Sequence, residues 1–125
     1  MKEVISTPKA PKAVGPYSQA VRYKDMLYLS GQIAIDPETG QYVRDTVADQ
    51  TRRCMENIKA VLAASGATLD HILKCNIFLS SMDHFQEMNE VYATYFKDQP
   101  PARITVASAG IYDDLDVEID VVAGL

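Results

Sequence analysis

Apolar residues recur at strand spacing in two stretches of this chain and at helical spacing in two others. Over residues 115–123, Leu115, Val117, Ile119 and Val121 share one face and Asp116, Glu118 and Asp120 the other, the two-residue period of a strand. Residues 102–108 alternate in the same way, with Ala102, Ile104 and Val106 opposite Arg103 and Thr105. Val47, Thr51, Met55, Ile58 and Leu62 recur at steps of three and four and predict a helix from Thr46 to Ser65, with Asp45 or Thr46 as its cap and Gly66 just past its end. Phe85, Met88, Val91, Tyr92 and Tyr95 predict a second helix from Met82 to Phe96, capped by Ser81 and ended before Pro100-Pro101.

The remaining segments complete the order. Val4 and Ile5 suit a short first strand, and residues 7–18, broken by Pro8, Pro11, Gly15 and Pro16, read as a loop. QAVRY and MLYLSGQIAI form the arms of a hairpin over 19–35, turning weakly at Lys24-Asp25, and a stronger turn follows at Asp36–Gly40. ILKCNIFL (72–79) is a further strand. Strands, helix, strand, helix, strands make one α+β domain over residues 1–125, with two helices on one face of a sheet. The second face is expected to carry Arg103, Thr105, Asp116, Glu118 and Asp120, covered by water or by another subunit.

Composition narrows the function. A net charge of −5, with Arg52-Arg53 as the one adjacent basic pair, argues against nucleic-acid binding, which needs a basic stripe to displace phosphate counterions. Cys54 and Cys75 form no metal-binding spacing and read as reduced, packed thiols, which suggests a reducing compartment. The N-terminal segment has no apolar core of a secretory signal, and no stretch has the ~18 apolar residues of a membrane span. The expected location is cytoplasmic, with no membrane partner. Phosphate-binding loops, dinucleotide fingerprints and nucleophile-elbow motifs are absent. His71 and His84 have no partner spaced for a triad or a metal, so a structural or surface role is expected.

Five groups could carry chemistry. Arg103 presents a planar fork that suits a carboxylate, or it pairs structurally with an acid such as Glu118. Glu118, crowded by Asp116 and Asp120, is a candidate base, or part of a solvated acidic strand face. Gly15-Pro16 can project Tyr17 over a cleft, where its phenol donates or accepts one hydrogen bond, or it anchors a loop. Ser30-Gly31-Gln32 interrupts a strand, which marks a bulge or a close backbone approach to a ligand. Asn89, mid-helix, reaches for a loop or a ligand, or stands exposed.

These residues sit in segments that resemble the RidA/YjgF family in order and spacing. The segments are GPYSQAV (15–21), LYLSGQIAIDPETG (27–40), MNEVYATYF (88–96), PPARITV (100–106) and VEIDVVA (117–123). The resemblance implies a chorismate-mutase-like sandwich and a homotrimer with clefts between subunits. It also implies a cofactor-independent hydrolase that converts reactive 2-imino or 2-enamino acids, of the 2-aminoacrylate and 2-aminocrotonate type, to 2-keto acids and ammonia. In that reading Arg103 clamps the substrate carboxylate, Glu118 activates a water and Tyr17 assists. Gly31, Thr105, Asn89 and Ser30 complete the substrate site, and no metal is called for. One departure is visible: Thr105 stands where well-known members often carry Cys.

Two other readings compete. The same pocket could sense a keto acid or amino acid without turnover, in which case Glu118 is dispensable. Some relatives carry ribonuclease or translation-inhibitor labels, against which the acidic charge weighs.

Overall fold

The longest helix, α1 (Val47–Ala64), follows its apolar stripe: Val47, Thr51, Cys54, Met55, Ile58, Val61 and Leu62 are all buried. Thr46 caps it, its hydroxyl accepting from the Asp49 amide at 3.0 Å. At the other end Gly66 takes φ 75°, the Gly66 amide reaches the Ala63 carbonyl and the Ala67 amide reaches Leu62. This is a Schellman stop, and it requires a residue that tolerates the left-handed region. The structure is a computed structural model that describes residues 1–125.

Six strands form one mixed sheet: β1 (Glu3–Ile5), β2 (Ala20–Tyr23), β3 (Met26–Leu29), β4 (Ile72–Leu79), β5 (Ala102–Ala107) and β6 (Val117–Gly124). Their spatial order is β1-β2-β3-β6-β4-β5, with β4 and β5 parallel and every other pair antiparallel. The hairpin turns at Lys24-Asp25 as expected, and Lys24 takes the left-handed conformation (φ 54°) that Gly or Asn usually supplies.

The second helix is shorter than its periodicity predicts. Met82–His84 forms a tight 3-10 turn begun by Ser81, and α2 proper spans Phe85–Ala93. Past Ala93, amide bonds run from Thr94 to Val91 and from Tyr95 to Tyr92, and the Thr94 hydroxyl also binds the Val91 carbonyl. This i→i−3 pattern tightens and ends the helix before the prolines do.

Both helices cover the same side of the sheet. Leu27, Ile77, Leu79, Val117, Ile119 and Val121 meet α1 and α2 in one core that includes Met55, Ile58, Met88 and Tyr92. The Glu87 carboxylate of α2 accepts from the Ala48 amide in the first turn of α1, and the Tyr95 hydroxyl donates to Glu56. No helix is long and apolar enough to cross a membrane.

One expectation is corrected. β5 does not present Ile104 and Val106 to the core. Arg103 lies opposite Cys75 in the ladder and Thr105 opposite Ile77, so both face the helices. Ile104 and Val106 point away and are 52% and 38% exposed. Glu118 lies opposite Phe78 on the other face, so Arg103 and Glu118 do not share a side of the sheet.

Replacing Thr46 with Ala removes the cap of α1. Urea unfolding should show a loss of about 1 kcal/mol with an unchanged slope.

Candidate active site

The β3–β6 ladder breaks where Gly31 sits. Tyr28 pairs with Val122 and the next bridge joins Gln32 to Ile119, so four steps on one strand span three on its partner. The extra residue makes a bulge, as the glycine suggested. A methyl group at Gly31 would overlap the Glu118 carboxylate. Only glycine therefore lets the acid lie against the backbone here.

Glu118 differs from its acidic neighbours. Asp120 accepts from the Asn76 amide at 2.7 Å, and Asp116 is held by Ser80 and Gln50. The Glu118 carboxylate has no such partner. Partial burial, and then the charge of Asp120, raise its pKa above that of an ordinary glutamate. It faces a cavity of about 410 Å³ shared with Tyr17, Ser30 and Gly31.

Tyr17 is set by its own turn. The Tyr17 amide bonds the Gly15 carbonyl at 2.8 Å, and the ring folds back onto Gly15. Its phenol oxygen accepts from the Val14 amide at 3.2 Å, which leaves the hydroxyl proton free to donate. The Ser30 hydroxyl donates to the Ser18 carbonyl at 2.6 Å, so it ties the bulge to the Tyr17 loop as well as lining the cavity.

Three buried amides that sequence reasoning did not single out hold this arrangement. Gln19 bonds Thr7, Ala10 and Pro11 through their main chain and pins the proline-rich loop. Asn57 of α1 donates to the Ile33 and Ile35 carbonyls just beyond the bulge. Gln50 of α1 accepts from the Asp116 amide and donates to its carboxylate, fixing the start of β6. Their signal was a polar residue inside an apolar helical stripe or beside a loop of prolines.

Arg103 belongs to a second cluster. Its guanidinium donates to the Asn89 side-chain oxygen at 2.6 Å and lies 4.9 Å from the Tyr92 ring centroid and 5.5 Å from that of Phe85. Phe85, Asn89 and Tyr92 form one stripe of α2, at i, i+4 and i+7. Asn89 thus holds the arginine. Thr105, two residues on, has a buried hydroxyl with no hydrogen-bond partner. One chain therefore carries two polar clusters on opposite faces of its sheet: Tyr17, Ser30, Gly31 and Glu118 in one, Arg103, Asn89 and Thr105 in the other. Nowhere do three His, Cys, Asp or Glu side chains converge to hold a metal ion.

The family model for endoribonuclease L-PSP matches residues 7–125. A RutC family protein of Pyrococcus horikoshii is 47% identical, over 98% of each chain. The human 2-iminobutanoate/2-iminopropanoate deaminase is 39% identical over 98% of this chain and 90% of its own. The crystal structure of Escherichia coli TdcF with bound serine is 36% identical, covers 98% of each chain and superposes with a TM-score of 0.94. The chain belongs to the RidA/YjgF family. RidA/YjgF relatives thus include reactive-intermediate deaminases, alongside members with only a family name.

Because the raised pKa favours protonated Glu118 in the folded state, stability falls as pH rises from the ordinary glutamate range through the raised value. Glu118→Gln mimics the protonated acid. Its melting temperature should exceed that of the wild type at pH 7, and the difference should vanish below about pH 4.

Proposed function

We propose that this protein hydrolyses 2-imino acids to 2-oxo acids and ammonia in a site completed by a second copy of the chain, within a homotrimer. The observation that carries this is the pair of incomplete half-sites. A base-like carboxylate faces a cavity without a cation, and a carboxylate-binding guanidinium stands on an edge strand away from that cavity. The exposed Ile104, Val106 and Tyr28 on the uncovered face supply apolar area for the contact that would join them. The human relative named as an imine deaminase and the serine bound to TdcF support a small α-amino-acid-like ligand.

The chemistry follows from the groups. Arg103 of one copy grips the carboxylate of R–C(=NH2+)–COO−, with one guanidinium nitrogen occupied by Asn89 and the remaining donors free. Thr105 adds main-chain groups of the edge strand. In the other copy Glu118 takes a proton from water as the oxygen attacks the iminium carbon, and Tyr17 and the Gly31 backbone orient that water. Glu118 returns the proton to nitrogen. The carbinolamine then collapses to the oxo acid, and ammonium leaves with the remaining proton.

A dehydratase or amino-acid oxidase supplies the imine, and semicarbazide trapping reports its lifetime. The wild type should shorten that lifetime. Arg103→Ala should lower kcat/KM about 100-fold or more, with Arg103→Lys between the two. An imine lifetime unaffected by the wild type would end the proposal. The kcat/KM of the wild type should rise with pH through a value above that of an ordinary glutamate. Glu118→Gln should remove that limb and lower kcat by about 10²–10⁴.

A further inference from the structure

Part of the wall of the Glu118 cavity is apolar and belongs to no group in the hydrolytic scheme. Val14, Ile33 and Tyr112 line it, together with Tyr17, Ser30, Gly31 and Glu118. Tyr112 is a large ring, 54% exposed, on the loop that leads into β6. An exposed ring on a loop would ordinarily be free to swing away, but this loop is held at several points.

Ile111 and Leu115, on either side, are buried. Between them Asp113 and Asp114 both take left-handed backbone conformations, φ 58° and 59°. Two such residues in succession, neither of them glycine, persist only where the surroundings enforce them. Arg44 is part of that enforcement. It donates to the Asp113 carbonyl at 2.7 Å, approaches the Asp113 carboxylate at 3.9 Å and stacks 4.8 Å from the Tyr42 ring centroid. The segment before α1 thus braces the loop, and the loop presents Tyr112 to the cavity.

Resting on the deaminase reading, we propose that Tyr112, with Val14 and Ile33, forms the subsite for the substrate's side chain and selects 2-imino acids with branched aliphatic side chains over the three-carbon imine. With the carboxylate toward Arg103 and the iminium carbon at Glu118, the substituent on that carbon is left facing this wall. A methyl group reaches little of it, whereas an isobutyl group lies against the ring and both aliphatic side chains. Each methylene placed on such a wall is worth on the order of tenfold in kcat/KM.

The experiment compares imines generated from leucine and alanine by an amino-acid oxidase. The wild type should favour the leucine-derived imine by about tenfold or more in kcat/KM. Tyr112→Ala should lower that ratio by about fivefold or more, and Tyr112→Phe should keep it, because the ring and not the hydroxyl forms the wall. A ratio unchanged in Tyr112→Ala, or a wild-type ratio near one, overturns the proposal. Calorimetry with 4-methyl-2-oxopentanoate and pyruvate reads the same wall without turnover. Preferential binding of the larger acid that Tyr112→Ala abolishes supports the subsite even if no imine is hydrolysed, an outcome that would end the deaminase reading alone. Equal affinities for the two acids in the wild type overturn the subsite.

Discussion

The Glu118 carboxylate occupies space that a side chain at position 31 would need, and the cavity is built around that contact. A charged group is costly to bring against backbone in a half-buried place, and here no hydrogen bond to the protein offsets the cost. The result is an acid that holds its proton more tightly than usual. The bulge that makes room for it also breaks the β3–β6 ladder, so one local irregularity positions the acid and opens the backbone beside it.

That irregularity survives because buried amides restrain the chain on both sides. Asn57 holds the segment after the bulge, Gln50 the approach to β6, and Gln19 the loop that carries Tyr17. Each places side-chain donors or acceptors where loop backbone would otherwise go unsatisfied away from water. The rigid helix α1 supplies two of the three, so its packing against the sheet transmits directly to the geometry of the site.

The Arg103 cluster depends on a different constraint. β5 is an edge strand, and α2 lays an aromatic and amide stripe over its helix-facing side. Arg103 is captured there rather than beside Glu118. The price is an exposed apolar pair, Ile104 and Val106, on the other side. An edge with apolar residues turned outward invites association.

Much of this was legible in the sequence. The stripe of α1, its cap and stop, the final strand and the bulge at Gly31 follow from local rules, because spacing, capping and glycine chemistry act within a few residues. The motifs identified the family, and with it the residues worth watching. Tertiary structure decided the rest. Alternation says which residues of one strand share a face, not which of the two faces meets the helices. Alternation alone therefore puts Arg103 and Thr105 on the side of Glu118, and the ladder puts them on the other. The shortened α2, Asn89 bound to Arg103, and the loop at Asp113 braced by Arg44 all rest on contacts made at a distance along the chain or on backbone competition at a helix end. Those energies exist only once the elements have packed.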